Sequence, residues 1–465
     1  MKYLQDILNY FRNLALNASG AERSLYQLIQ DGDIIKAIGL MQNRDDEVDA
    51  AIMEYNPQTH DVMHRPNKRR KNADDYETEK LPRTRQRYIN EVELFFLLGK
   101  PIIWKKEDGE DEAFMLFTDF LKQQRFDSSM RKIKRLAGAE TEAAKLYHIY
   151  RGDSDNTRHI KSVVLARSTG YQLRPLFDQY GDMTAFAYGY KLKENGKQVQ
   201  HWDIQTKDSL FFCSRSAVGW NIESYPNPTG KINIVYYSQK KAWDGAERRI
   251  NREEMLDSKV GDTNNYFADP IAAATADVID ALADPDRPGK LIQLTGANSR
   301  FDYVNPPQNS ESRKAEKMEL QESILFDTFT PDFSFDKLRG MGTLSGAAIK
   351  NAMILGFIKR DNLIETYGEL IDREKNIIIE ILKYMHPEKT AILDALKISF
   401  EFQEPFSADK RDNWSSIREL YLAGLVSLEH AVETLSLTDA PEEEIARLKA
   451  QKSSANEETN TGNGE

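Results

Sequence analysis

The chain has 465 residues, with 63 Lys and Arg against 74 Asp and Glu, and its formal net charge is −11. This length exceeds one ordinary domain of about 150 residues, so several domains are expected. The acidic balance argues against simple coating of nucleic acid, which needs a basic surface to displace counterions. The single cysteine, Cys213, excludes an intrachain disulfide and a cysteine-based zinc site, and favours a reducing compartment.

Neither a signal peptide nor a membrane span is expected. Residues 1–17 mix apolar and polar side chains and lack the continuous apolar block of a signal peptide. The most apolar stretch, residues 94–103, is interrupted by Gly99, Lys100 and Pro101 and is too short to cross a bilayer. The pattern therefore predicts a protein that is neither exported nor inserted in a membrane.

Helical periodicity dominates residues 1–150, for example the phenylalanines at three-to-four spacing in residues 114–121. Residues 65–87 form a basic stretch that contains RPNKRRK and PRTRQR. One interpretation is an anion-binding arm. The other is a solvated loop beside acidic neighbours such as Asp74 and Glu77, because short charge blocks are usually just exposed.

An alternating pattern replaces the helical one between residues 160 and 240. Residues 184–192 and 198–206 alternate in polarity on either side of Asn195-Gly196. An Asn-Gly pair between alternating runs is the strongest short signal for a hairpin, because both turn positions need positive φ. The sequence therefore predicts an antiparallel β module inserted in a helical chain.

Two polar helices of similar length follow, over residues 244–269 and 310–330, the second ending at a residue before proline. The segment between them predicts a short helix at 273–282 and strands at 291–295 and 301–304. We expect the two helices to form an antiparallel pair that carries a small end piece.

Residues 331–346 are predicted to form a flexible loop, because Gly340, Gly342 and Gly346 lie within or at its end. A helix with small side chains at 347–356 follows, where close backbone approach is possible.

The rest of the chain predicts a long amphipathic helix over 363–385, which ends before Pro387, and a strand over 397–402. Short helices follow, and the final residues 453–465 have the composition of a disordered tail.

Catalytic and cofactor motifs are missing from the sequence: no GxGxxG, Walker A, GxSxG or HExxH occurs. His60 and His64 in HDVMH are the best metal candidates, but no third ligand is suggested. The loop at 152–156 (GDSDN) lacks the spacing of an EF-hand. Cys213 lies in an aromatic strand and fits a buried small side chain better than a nucleophile. We therefore assign no catalytic residue, metal site or cofactor.

Several short motifs occur in a characteristic order. Residues 91–102 (EVELFFLLGKPI) have a helix with a Gly-x-Pro end, residues 125–130 a helix connection, and residues 231–237 a strand with Asn233. Residues 301–346 combine a YV-x-PP strand end, a Thr-Pro-Asp-Phe-Ser helix stop and a Gly-rich loop, and residues 398–435 a strand before helices. In this order the chain resembles the portal proteins of tailed bacteriophages, particularly the siphophage-type family, although that family often has proline where Asn233 stands.

The resemblance implies a mainly helical α+β fold, the portal fold with wing, stem, clip and crown, assembled as a ring. It divides the chain as follows: wing 1–243, first stem helix 244–269, clip 270–309, second stem helix 310–330, tunnel loop 331–345, long helices of the wing 346–405, crown 406–452 and disordered tail 453–465.

The resemblance also implies a function. Portal proteins form a dodecameric ring at one capsid vertex, through which double-stranded DNA is packaged and ejected. The implied partners are the terminase, which holds the ATPase, the major capsid protein and a head–tail adaptor. The implied location is the virion, after assembly in the host cytoplasm, and no enzymatic activity is implied.

Both stem helices contain more acidic than basic residues. An acidic channel wall would repel phosphates at every register and let DNA slide, so the net charge of −11 becomes compatible with DNA passage. Lys337 and Arg339 in the tunnel loop are the candidates for transient phosphate contacts, with Gly340, Gly342 and Gly346 as hinges. Simple solvation of the loop remains the alternative.

Two other functions stay open at this point. A cytosolic helical scaffold or adaptor would bind a protein partner and never meet DNA. A metal-dependent nuclease would use His60, His64 and the loop at 152–156, but the sequence offers no cluster of carboxylates to support it.

Overall fold

A computed structural model describes residues 24–67, 77–151, 158–194, 196–268, 272–274, 277–278, 294–295, 301–303, 310–335, 337, 339, 346–406, 410–435 and 444–450. The chain divides into two compact units. The first comprises Met1–Thr330 and Leu355–Gln403, and the second comprises Pro331–Ile354 and Glu404–Glu465. Each unit is therefore built from segments that lie far apart in the sequence.

Helices form much of both units, and local signals explain several of their ends. The helix α1 begins after Ser24, whose hydroxyl accepts a hydrogen bond from the Gln27 N–H. The predicted Gly-x-Pro end is confirmed, since α4 ends at Leu98 before Gly99. The helices are α1 (Leu25–Gln30), α2 (Ile34–Gly39), α3 (Asp45–Tyr55), α4 (Arg85–Leu98), α5 (Asp111–Gln123), α6 (Phe126–Glu140), α7 (Glu247–Ala268), α8 (Ser310–Asp327), α9 (Gly346–Ala352), α10 (Ile354–Met385), α11 (Thr390–Ala395), α12 (Lys410–Leu422) and α13 (Leu428–Leu435). Residues 444–450 are helical as well.

Antiparallel strands supply the β part of an α+β fold, as the sequence predicted. A five-stranded sheet has the order β4-β5-β6-β7-β8, a three-stranded sheet has the order β3-β2-β9, and three further pairs are β1-β14, β10-β13 and β11-β12. The strands are β1 (Ile103–Asp108), β2 (Glu142–Arg151), β3 (Arg158–Leu165), β4 (Gln172–Phe177), β5 (Met183–Glu194), β6 (Lys197–Thr206), β7 (Ser209–Arg215), β8 (Trp220–Pro226), β9 (Ile234–Ser238), β10 (Ala272–Ala274), β11 (Asp277–Val278), β12 (Leu294–Thr295), β13 (Phe301–Tyr303) and β14 (Lys397–Glu401).

The predicted hairpin joins β5 and β6 in the five-stranded sheet. Glu194 pairs with Lys197, and Gly196 in the turn has φ of +82°, a value that glycine adopts without a steric penalty. Cys213 of β7 is buried, and burial together with the Asp203 charge raises the pKa of its thiol to about 12. The prediction of a buried small side chain at Cys213 is thereby confirmed.

A buried carboxylate joins the long helix α10 to the three-stranded sheet. Glu374 of α10 is fully buried, and its Oε1 lies 2.6 Å from the Lys145 ammonium of β2. The hydroxyls of Tyr147 and Tyr237 each donate to this carboxylate at 2.5 Å. Burial and the Glu374 charge raise the pKa of both tyrosines well above its usual value, so both remain neutral donors. These contacts fix α10 against the sheet.

The structure corrects one expectation in the segment between α7 and α8. A helix was expected over residues 273–282, but Ala272–Ala274 forms β10 and Asp277–Val278 forms β11. The alanines pair antiparallel with Phe301–Tyr303 of β13. Alanine is the strongest helix former, but intrinsic propensity is a weak determinant of structure, and this long-range pairing overrides it here.

Close backbone approach, predicted for the small residues at 347–356, is present at Gly356 of α10. A Cβ at this position would lie 2.3 Å from the ring of Phe96, a buried residue of α4. Gly368 lies on the same helix, and a Cβ there would meet no atom within 4 Å. Only the first of these glycines is required by packing.

Gly356→Ala should therefore destabilise the protein by about 1–3 kcal/mol, because the Phe96 ring must move in a packed interior. The matched control, Gly368→Ala, should stabilise it by about 0.5–1 kcal/mol, because alanine favours helix and fits without a clash. Chemical denaturation of both variants measures the two free energies of unfolding. Equal shifts for the two variants would contradict the packing argument.

Candidate functional site

The two polar helices α7 and α8 pair with each other in antiparallel directions. Near one end, the Arg249 guanidinium pairs with the Asp327 carboxylate. Further along, Gln321 donates to Glu253 at 3.0 Å, and the Lys317 ammonium lies 2.7 Å from Asp257. The predicted antiparallel pair is therefore present, and these contacts define which residues of α7 and α8 lie at the same level.

The base of this pair is anchored in an apolar cluster. Ile250 of α7 and Ile324 of α8 pack in one cluster with Trp243, and all three side chains are fully buried. The Trp243 indole N–H donates to the Glu54 carboxylate at 2.7 Å. Apolar burial and this hydrogen bond thus fix the position of Ile250 and Ile324, at one end of the helix pair, against Trp243.

Residues 77–85, here called the arm, lie along α7. The backbone N–H groups of Glu79, Leu81 and Arg83 donate to side chains of α7: to Asp262 at 2.7 Å, to Ser258 at 2.9 Å and to Glu254 at 2.8 Å. Two residues of extended chain and four residues of helix each span about 6 Å, so the two repeats stay in step. The arm therefore runs antiparallel to α7 and satisfies its own backbone with side chains of the helix.

Arginines in and beside the arm neutralise the same face of α7. Arg85 forms a bidentate pair with Glu253, with distances of 2.8 and 3.0 Å, and Arg65 lies 2.7 Å from Asp262. Burial alone would raise the pKa of Glu253, but the bond and charge of Arg85 lower it below its usual value. The basic stretch of the sequence is thus partly an arm that binds carboxylates of its own chain, while residues 68–76 lie outside the described part.

This arrangement differs from the exposed acidic surface that the composition of residues 244–269 predicted. Glu253 and Glu254 are fully buried, and Asp262 is nearly so. The acidic residues between 244 and 262 each have a partner within the chain: Asp244 with Lys240, Glu247 with Lys241, Glu253 with Arg85, Glu254 with His60, Asp257 with Lys317, and Asp262 with Arg65. The acidic excess of α7 is therefore used for internal packing.

His60, a metal candidate from the sequence, belongs to the same interface. Its Nδ1 lies 2.7 Å from Glu254 Oε1, and its Nε2 lies 2.8 Å from the Glu54 carbonyl oxygen. Both partners are acceptors, so the doubly protonated ring satisfies both. Burial lowers the pKa of His60, but the bond and charge of Glu254 raise it more, and the net shift is upward. Both ring nitrogens have partners, and His64 is exposed, so the two histidines do not form a site together.

The structure describes only some of the other candidate residues from the sequence. No group of three or more His, Cys, Asp or Glu side chains that could hold a metal occurs among the described residues. The loop at 152–156 lies outside the described residues. Lys337 and Arg339 are exposed, and Gly346 is the first residue of α9, whereas Gly340 and Gly342 lie outside the described residues.

The backbone at Phe335, Lys337 and Arg339 is helical, although the glycine content predicted a loop. Just before it, the Asp332 carboxylate accepts a hydrogen bond from the Ser334 N–H at 2.8 Å. Such a side-chain cap favours the start of a helical turn, whereas the glycines that follow disfavour helix. Phe335 is 87% exposed, and both basic side chains reach solvent.

The arm is the feature that sequence reasoning missed. Its signal was present as arginines at 83 and 85 together with carboxylates at 253, 254 and 257, which repeat along one face of a helix. No local pattern says that the two segments meet, because about 170 residues separate the arm from the helix. From the sequence alone, the basic residues of 65–87 and the carboxylates of α7 therefore do not predict each other as partners.

Comparisons with known proteins include an extensive match to a family model. A family model described as "Phage portal protein, SPP1 Gp6-like" matches residues 39–458. No curated protein sequence matches the chain. Among the described residues, no helix has the length and apolarity needed to cross a membrane.

Solved structures of gene transfer agent (GTA) particles are similar at low identity. "Neck of empty GTA particle computed with C6 symmetry" matches with a TM-score of 0.42 and 10% identity, covering 75% of this chain and 89% of that chain. "Neck of native GTA particle computed with C12 symmetry" has a TM-score of 0.38 and 9% identity, covering 76% and 91%. "Virion of native gene transfer agent (GTA) particle" has a TM-score of 0.39 and 10% identity, covering 76% and 89%.

His60→Gln should destabilise the protein in a pH-dependent way. Because folding raises the pKa of His60, its contribution is complete below the unfolded pKa of about 6.5 and is lost as pH rises through the folded pKa. We expect a loss of about 2 kcal/mol at pH 6, typical of hydrogen bonds to charged groups, and a smaller loss at pH 9. Denaturant unfolding at both pH values measures this difference. His64→Gln, at an exposed histidine, is the control, and a loss for His60→Gln that is equal at both pH values would refute the charged pair.

Proposed function

The chain belongs to the phage portal protein family, and we therefore propose that copies of it form a ring around a channel at one capsid vertex. Double-stranded DNA enters through this channel during packaging and leaves through it during ejection. The family match over residues 39–458 is the observation that carries the proposal, because it covers nearly the whole chain.

The division into portal parts is also proposed. The pairing of α7 with α8 supports a stem, because residues 249–257 of α7 contact residues 316–327 of α8 and the two helices flank residues 270–309 in the sequence. The proposed parts are the wing (1–243 and 346–405), the stem helices (244–269 and 310–330), the clip (270–309), the tunnel loop (331–345) and the crown (406–452).

In this proposal the protein is a conduit and a docking platform with no enzymatic activity and no cofactor. Its family is structural, and the energy for packaging comes from the terminase. The proposed ring is a dodecamer that contacts the major capsid protein, the terminase and a head–tail adaptor. It assembles in the host cytoplasm and stays in the virion.

Lys337 and Arg339 are proposed to contact DNA in transit. Both are exposed, and their positive charges suit brief contacts with the phosphate backbone, which carry no sequence information. Gly340, Gly342 and Gly346 are proposed as hinges of the same segment, because glycine adopts backbone conformations that other residues avoid.

Ring formation is the direct test of the proposed function. The purified chain should assemble into closed rings, with a dodecamer of the 53.4 kDa chain as the expected species. Mass photometry gives the mass, and negative-stain images show the ring. A chain that stays monomeric at every salt concentration would favour the alternative, a cytosolic helical scaffold or adaptor.

Replacing Lys337 and Arg339 together with alanine should leave the rings intact and slow DNA packaging about tenfold, which corresponds to about 1.4 kcal/mol at the barrier. The measurement is the length of DNA packaged per unit time into particles that contain the variant. The control replaces Lys193 and Lys197, exposed residues of the β5–β6 hairpin, with alanine and removes the same charge. Normal packaging by the first variant would eliminate the proposed contact.

A further inference from the structure

The exposed face of α7, beside the side that binds the arm, is basic. Among residues 247–265, the exposed charged side chains are Arg248, Arg249, Arg252 and Lys259. Arg248, Arg252 and Lys259 follow each other at spacings of four and seven residues, which places them on one stripe of the helix. This basic stripe is what remains after the carboxylates of α7 have turned towards the arm.

The exposed face of α8 has the opposite charge and exposed apolar side chains. Glu311, Glu319 and Glu322 are exposed, and Lys314 is the exposed basic residue at the edge of this face. Met318 and Phe326 lie among the glutamates, with 62% and 66% of their surface exposed. Large apolar side chains on an otherwise polar helix mark a contact surface when they fall on one face.

The two faces of one helix pair are thus complementary to each other. A contact between two different faces of the same chain is head-to-tail, and repeated by rotation it closes into a ring. Opposite charges on the two faces favour this head-to-tail contact and disfavour the contact of either face with itself.

The contacts within one chain also predict which residues would meet. Glu253 lies opposite Gln321, and Asp257 lies opposite Lys317. Moving four residues forward along α7 therefore corresponds to moving four residues backward along α8. Rotation about an axis parallel to the helices keeps each residue at its level.

At these levels Arg252 would face Glu322 of the next copy. Within its own chain, Arg252 pairs with Glu316 at 2.6 Å. Lys259 would lie at the height of residue 315 of α8 in the next copy, which is one helical turn from Glu311 and one turn from Glu319. Arg248 lies level with Phe326, whose ring can accept a cation.

We propose that the basic stripe of α7 in one copy docks on the acidic and apolar face of α8 in the next copy, which makes the occupant of each face a second copy of this chain. The inference rests on the proposed ring and assigns its lateral contact between stem helices. DNA is a different occupant for the basic stripe. DNA is disfavoured because its binding to the basic stripe would leave Met318 and Phe326 on the exposed face of α8 in solvent. The experiment below distinguishes DNA from a second copy of the chain.

The experiment reverses charges at exposed positions of the full chain. Lys259→Glu places a negative charge against the glutamates of the next copy, and Glu319→Lys places a positive charge against Lys259. Each variant alone should need at least about tenfold more protein for half-assembly into rings, as expected when like charges face each other. Lys191→Glu, at an exposed lysine of β5, is the control and should assemble like the wild type.

Mixing the two dissociated variants gives a sharper test. In a ring where Lys259→Glu and Glu319→Lys chains alternate, every contact again joins opposite charges at these positions. The equimolar mixture should therefore form rings at near the wild-type concentration, with equal amounts of both chains by native mass spectrometry. A chain that had merely lost its fold would not be rescued in this way.

Several outcomes would overturn the inference. Rings of Lys259→Glu that form like those of the control, with slower DNA packaging, would assign the basic stripe to DNA. Failure of the mixture to assemble would exclude the proposed register. In both cases wild-type rings would leave the proposed function intact, whereas a wild-type chain without rings would remove the function and this inference together.

Discussion

The burial of carboxylates on α7 is the constraint on which this part of the structure depends. Glu253 and Glu254 have no exposed surface, and an unpaired charge there would cost several kcal/mol. Partners are supplied by Arg85, His60 and the backbone of the arm. The path of residues 77–85, the hydrogen bonds of His60 and the basic character of the exposed face of α7 all follow from this one requirement.

The net charge of −11 has a different meaning once the positions of the charges are known. A charge sum taken along a helix says nothing about direction, and on α7 the carboxylates and the exposed cations point to different sides. Electrostatic arguments about a channel must therefore use the exposed side chains alone. On α7 these are basic, whereas on α8 they are mainly acidic.

Local signals in the sequence were sufficient for features that depend on neighbours in the chain. The hairpin at Gly196 and the helix end at Gly99 follow from backbone geometry that a few residues determine. The arm on α7, the strand at Ala272–Ala274 and the pairing of β1 with β14 depend on partners far away in the sequence. At such positions the pairing partner decides the conformation. Local propensity predicted a helix where Ala272–Ala274 forms a strand, and it predicted no structure for the arm. The two polar helices were located by the sequence pattern, but the direction of each charge required the folded chain.

The contact between Arg249 and Asp327 closes the segment between them where α7 and α8 leave the rest of the unit. In a closed segment of this kind, the entropic cost of added length grows only with its logarithm, so doubling the length costs about 0.6 kcal/mol. Residues beyond the helix pair can therefore be exchanged or lengthened with little effect on the stability of what lies below. The base of the helix pair, in contrast, is constrained by the burial of Trp243, Ile250 and Ile324.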